Sequence, residues 1–186
     1  EGANIHILAP YEIKTQMVIV DFPVNLIGEN GGWLSTSSSN CSQPMLKITS
    51  GVTVKNLYIS DGSCFSPSRD LLHIDSATDV LIDHSTLDSG ANAIVYKDNA
   101  GSLEVRSSEI RNNSVSAVFS ENNEPSARLN LVANNIFENG SAVQVYCAIP
   151  GNVDHNYWGE EILPSSTAPD CGADDRKILG ARILPE

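Results

Sequence analysis

The chain has 186 residues with ordinary apolar content (41%) and modest aromatic (6%) and charged (18%) fractions, which fits one domain with a substantial core and argues against disorder or a coiled coil. With 23 acidic residues against 11 basic, the formal net charge is −12, and this sign disfavours nucleic acid and anionic membranes, both of which need clustered Lys and Arg. No apolar run reaches the roughly 18 residues of a spanning helix, so membrane insertion is not expected, and the first residues do not read as a signal peptide.

The N-terminus opens almost directly into an alternating strand around Ile5 and Ile7, which Pro10 is expected to end. A second short strand follows at Met17-Val-Ile-Val20, and Pro23 breaks it. Val24-Asn-Leu26-Ile-Gly28 begins a pattern that recurs, here in degenerate form with Gly31 in place of a third apolar residue. A Ser-rich stretch from Ser35 to Gln43, carrying Cys41, reads as a surface excursion.

From Ile48 the pattern is regular. Val52/Val54/Ile59, Val80/Ile82/Leu87, Leu103/Val105/Ile110 and Leu129/Leu131/Ile136 each place an apolar residue two positions on and another five beyond that. Each set ends in a polar bend: Ser-Asp-Gly, Asp-Ser-Gly, Arg-Asn-Asn and Glu-Asn-Gly. Starts are separated by 28, 28, 23 and 26 residues from Val24, then 22 to a worn copy at Gly151/Val153/Trp158. Between the copies lie further short apolar strands at Leu71–Ile74, Ala93–Tyr96, Ala117–Phe119 and Ala142–Val145. Each copy is therefore expected to hold at least two strands, and no segment has a helical apolar period.

Strands and turns repeating at this interval predict a solenoid, because one copy cannot bury its apolar face alone. Stacking at about 4.8 Å sets Val52, Val80, Leu103 and Leu129 over one another in parallel strands. Ser85, Ser108, Asn134 and Asn156 fall at one turn position, which predicts a polar ladder between layers.

This pattern resembles the right-handed parallel β-helix repeat family, the pectate-lyase-like superfamily. Ile5-His-Ile7-Leu-Ala-Pro10-Tyr-Glu-Ile13 is similar to its first-coil phrase, and Asn156-Tyr-Trp-Gly159 resembles the phrase that closes the last coil in bacterial and archaeal surface proteins. The resemblance implies an all-β fold of about six coils over residues 1–159, with 160–186 as a capping tail of the same domain. Family members usually cover the first coil with an amphipathic helix. This chain begins at or just before the first strand, so it is either a piece of a longer protein or has that end covered by something else, which would favour end-to-end self-association or neighbouring domains. The resemblance does not select an activity, since the family ranges from lyases to passive spacers.

Asp79-Val-Leu-Ile-Asp83-His84-Ser85 is similar to the Trp-Ile-Asp-His phrase of the lyases but lacks the Trp. Aligned copies also bring Lys55, Asp83 and Arg106 into one outward column, with Glu104 nearby. A lyase needs a cation to neutralise a uronate and a base to take the adjacent proton, so Asp83, His84, Glu104 and Arg106 are the candidate catalytic set, with calcium as cofactor in that case alone. The competing expectation is a surface ladder of alternating charges and no catalysis. The Asn-Thr-Asp, Asp-Asp and Gly-His-Gly phrases of glycoside hydrolases on this fold do not occur in the coils.

Trp33 and Tyr96 are the aromatic residues chosen as candidate ligand contacts, with Lys55, Asp83 and Arg106 as polar ones, whereas Trp158 falls on a core position. Cys41, Cys64, Cys147 and Cys171 include no Cys-x-x-Cys pair, which argues against a metal site and for two disulfides in an exported protein, against four free thiols. Three connectivities are open, and pairing of neighbours is the expectation. The expected role is a non-catalytic extracellular or cell-surface module, adhesin-like or fibre-forming, with a polysaccharide or glycan as partner; the alternative is a lyase-like or epimerase-like enzyme, or its remnant, on acidic polysaccharide.

Overall fold

The computed structural model describes residues 2–159 except 15–16, 38–40, 63, 65–68, 77, 98, 123–125, 142 and 146–150. The expected capping tail therefore lies outside the described residues, as do Cys147 and Cys171. Nineteen strands and no helix occur among the described residues. The first two coils hold β1 (Ala3–Ile7), β2 (Pro10–Ile13), β3 (Val18–Val20), β4 (Val24–Gly28), β5 (Trp33–Thr36) and β6 (Leu46–Ile48). The next two hold β7 (Val52–Lys55), β8 (Tyr58–Ser60), β9 (Leu72–Ile74), β10 (Asp79–Asp83), β11 (Thr86–Asp88) and β12 (Asn92–Tyr96). The last two hold β13 (Ser102–Arg106), β14 (Glu109–Arg111), β15 (Ser116–Ser120), β16 (Arg128–Val132), β17 (Asn135–Phe137) and β18 (Val143–Val145), followed by β19 (Gly151–Asn152).

Every third strand stacks in parallel. The first sheet runs β1-β4-β7-β10-β13-β16-β19, the second β2-β5-β8-β11-β14-β17, and the third β3-β6-β9-β12-β15-β18. The register follows the apolar repeat: Val24 pairs with Val52, Val52 with Val80, Val80 with Leu103, Leu103 with Leu129 and Leu129 with Gly151. These columns point inward. Val54, Ile82, Val105, Leu131, Ile59, Leu87, Ile110 and Ile136 have no exposed surface. Burying each such side chain contributes on the order of 1.5–3 kcal/mol, which is why the interval can vary while the register cannot.

Each coil holds three strands, within the expectation of at least two. The residue five places after the second apolar one lies on its own strand, because a left-handed residue intervenes. Asn56, His84, Ser107, Ala133 and His155 occupy the same bend in successive coils with φ of 53°, 47°, 48°, 55° and 60°. The bend turns the chain sharply yet keeps the interlayer bonds: Asn56 N donates to Asp83 O, His84 N to Arg106 O, and Ser107 N to Val132 O.

Two N-terminal expectations need correction. Pro10 starts a strand instead of ending one, pairing with Trp33; β2 lies at the sheet's edge, where a missing N–H costs no ladder bond. Gly31 does not stand in for a core residue either: it lies in a longer bend at φ 83°, and Leu34, in register with Ile59, fills the core position. Ala3 and Ile5 pair with Val24 and Leu26, adding a coil before the one at Val24. The first-coil end of the solenoid is an apolar hollow of about 610 Å³, with Ile5, Leu8, Tyr11, Ile19 and Phe22 exposed around it.

The polar ladder forms at the predicted positions. Leu57 N donates to Ser85 Oγ (3.2 Å), Ser85 N to Ser108 Oγ (3.1 Å), Ser108 N to Asn134 Oδ1 (3.0 Å) and Asn134 N to Asn156 Oδ1 (2.9 Å). All four acceptor side chains are buried. A second ladder lies at the next bend, where Gly90 N donates to Asn113 Oδ1 (2.9 Å) and Asn113 N to Asn139 Oδ1 (3.1 Å). In both, a short side chain satisfies a backbone N–H that the bend removes from the strand ladder.

Candidate functional site

The outward column of the first sheet aligns Lys55, Asp83, Arg106 and Val132, and the neighbouring column Thr53, Leu81, Glu104 and Asn130. Arg106 Nε donates to Asp83 Oδ1 (3.2 Å) and its Nη1 to Glu104 Oε1 (3.2 Å). His84 Nδ1 lies 2.7 Å from Asp83 Oδ1. Four predicted residues, Asp83, His84, Glu104 and Arg106, thus come together. Lys55 neighbours Asp83 in register but forms no ion pair with it.

Local structure accounts for the Asp-His-Ser phrase without chemistry. Asp83 ends the strand, His84 is the left-handed bend residue, and Ser85 is a rung of the ladder. Non-Gly residues at positive φ are often Asn, Asp or His, and the equivalent positions hold Asn56 and His155. The Asp83 side chain is 7% exposed, and His84, at 61%, projects into solvent. Burial pushes the Asp83 carboxyl up, but hydrogen bonds from Arg106 and His84, with the Arg106 charge, more than reverse this and hold it below the usual carboxylate range. An ionised Asp83 bonded to Arg106 is a closed pair.

Beside this column a shallow groove of about 220 Å³ crosses successive coils, lined by residues that include Asn25, Thr53, Asp79, Leu81, Ser102 and Glu104. Among the described residues its lining has two carboxylates and no Lys or Arg. Among the described residues, no three His, Cys, Asp or Glu side chains converge as a metal site.

The two chosen aromatic residues separate. Tyr96 has no exposed surface; it belongs to the inward set of β12, and its hydroxyl donates to the Gly101 carbonyl, so it is removed from the ligand-contact set. Trp33 is 38% exposed on the outer face of the second sheet. It meets the Tyr58 ring edge-on (centroids 5.4 Å, 89°) and donates from Nε1 to Ser60 Oγ (3.0 Å). Trp158 is buried at 4%, the core role expected for it.

A further cluster on this face was not foreseen. Asp88 accepts from Tyr58 Oη (2.6 Å), Ser89 Oγ (2.7 Å), Asn112 Nδ2 (3.0 Å) and Arg111 Nε (3.1 Å), and Arg111 also pairs with Glu109 (2.8 Å). Burial raises the Asp88 pKa, but bonds from Tyr58, Ser89, Asn112 and Arg111 outweigh it and lower the carboxyl overall; burial and the same carboxylate raise that of Tyr58. The signal was available: Asp88 and Arg111 are 23 residues apart, as are Asp83 and Arg106.

Cys41 and Cys64 form a disulfide between successive loops, the neighbour pairing expected for this half of the set. The buried Arg69 lies against it, with Nη2 3.6 Å from Cys64 Sγ and Nε 3.8 Å from Asp61.

No curated protein and no solved structure matches the chain significantly. A family model described as the right handed beta helix region matches residues 24–156, more than two-thirds of the sequence. That match and the three stacked parallel sheets agree: this chain belongs to the right-handed β-helix family.

Proposed function

We propose that this β-helix is a non-catalytic module of an exported protein, adhesin-like, which presents the flat outer faces of its sheets for binding. The observation that carries this reading is the closed pairing at Asp83. Its carboxylate accepts from Arg106 and His84, and Arg106 is divided between Asp83 and Glu104, so the cation a uronate would need is already neutralised. The adjacent groove repels polyuronates with Asp79 and Glu104. Export is supported by the Cys41–Cys64 disulfide, since such bonds persist in oxidising compartments.

The enzyme alternative, a lyase or epimerase on acidic polysaccharide, rests on the meeting of Asp83, His84, Glu104 and Arg106. Ultraviolet absorbance of unsaturated products for cleavage, and proton NMR of the sugar signals for epimerisation, followed on a panel of uronates with calcium and with chelator, test both. The module reading expects no turnover in either condition. Calcium-dependent turnover that disappears in Arg106→Ala would overturn it.

A further inference from the structure

The outer face of the second sheet carries a partly exposed aromatic pair, Trp33 and Tyr58, packed edge to face. Pro10, Trp33 and Tyr58 are in register on consecutive strands, so an apolar, ring-bearing strip runs along the solenoid axis for two strand spacings, about 10 Å. The strip is held rigidly. Trp33 is tied by its Nε1 bond to Ser60 and by the edge of Tyr58; Tyr58 is tied to Asp88, and Asp88 to Arg111. One chain of contacts therefore crosses four coils. A large aromatic ring so placed loses little freedom when a ligand stacks on it.

The chemistry of the rim limits the ligand. Among the described outward residues of this sheet, Arg111 is the one basic side chain, and it is bonded to Asp88 and Glu109. Glu12 stands in register with Ser35 at the other end of the strip. Carboxylates flanking the strip disfavour uronates, sulfates and phosphates, while the half-buried hydroxyls of Ser35 and Thr86 suit a hydroxylated partner. Sugar rings have apolar C–H faces that stack on aromatic rings and hydroxyl edges that bond to such a rim. We propose that Trp33 and Tyr58 form a subsite for a neutral glycan chain lying across the strands of the second sheet.

This rests on the binding-module reading and deepens it. The test titrates the whole chain with neutral gluco-, manno-, xylo- and chito-oligosaccharides, and with oligogalacturonate as the anionic comparison. Binding is read by calorimetry and by the NMR signal of the Trp33 indole; the buried Trp158 indole is the internal reference. At least one neutral oligosaccharide should move the Trp33 signal and leave Trp158 still, and Trp33→Ala should weaken its binding by about tenfold or more. Ser60→Ala, which frees the ring but keeps it, should weaken binding by a smaller factor. If no neutral oligosaccharide binds, or if oligogalacturonate binds better than all of them, the subsite does not exist. The indole signal is read on the wild-type chain, so the test stands even if a variant fails to fold. Uronate cleavage would sink the non-catalytic reading; silence in both assays would sink the glycan subsite alone.

Discussion

Replacing Asn134 with Ala attacks the ladder where its connections are densest. The side chain is 1% exposed; its Oδ1 accepts from Ser108 N (3.0 Å), and its Nδ2 donates to Val105 O (2.8 Å) and Asn156 Oδ1 (2.9 Å). A typical internal hydrogen bond contributes roughly 1 kcal/mol net, and a buried donor left without an acceptor costs about 1–3 kcal/mol. Losing all three bonds and stranding the Ser108 N–H should therefore cost about 2–4 kcal/mol, a large part of the roughly 5–15 kcal/mol a domain usually has. Urea unfolding followed by far-ultraviolet circular dichroism measures it, and hydrogen exchange at the Ser108 amide should accelerate by the same free energy. The control is Asn130→Ala: that side chain accepts from Asn152 N on the outer face (3.1 Å), and its loss should change stability by no more than about 0.5 kcal/mol. A cost below about 0.5 kcal/mol for Asn134→Ala would refute the ladder as a stabilising element.

Three further outcomes are expected. Folding lowers the pKa values of Asp70, Asp83 and Asp88, so the stability they contribute is complete above the unfolded value near 3.9 and is lost as pH falls through the lower folded values. A plot of melting temperature against pH should fall steeply on this acid side, and Asp88→Asn should make it shallower; an unchanged slope would count against the bonded Asp88. Reducing Cys41–Cys64, which closes a loop at a sequence separation of 23, should cost about 3 kcal/mol in urea unfolding with and without dithiol, and equal midpoints would contradict this. At Gly151 a Cβ would collide with the Leu129 carbonyl, so Gly151→Val should push β19 off β16, with a loss of about 1–3 kcal/mol and faster exchange confined to the last coil. Wild-type exchange there would show that the strand can shift to make room.

Much of the fold was legible in the chain because period and register are local properties of sequence. Val52, Val80, Leu103 and Leu129 declare which residues stack, since an apolar residue two places from another on a strand must share its face. The Ser85–Asn156 ladder was legible for the same reason: polar residues at one repeat position have one another as partners. The third strand of each coil was not, since it depends on left-handed backbone at Asn56, His84 and Ser107, which no apolar pattern marks. Pro10 misled because a proline that breaks a central strand is harmless on an edge strand, and edge or centre is a property of the assembled sheet.

The candidate site divides in the same way. That Asp83, Glu104 and Arg106 would be neighbours followed from the repeat interval by itself. Whether Asp83 would be free or already paired did not, because pairing depends on side-chain reach across a gap of one strand spacing. Trp33 and Tyr96 are both aromatic residues on strands and look alike in the sequence. One stands outside against Tyr58 and the other is sealed in the core, and the direction a strand residue faces follows from where the bends set each strand's phase. Period and alternation in the chain set the stack and the facing of its apolar repeat columns; only the closed solenoid decided the facing of residues such as Tyr96 outside that repeat and the pairing of outward charges, because both depend on where the bends bring strands and side chains together.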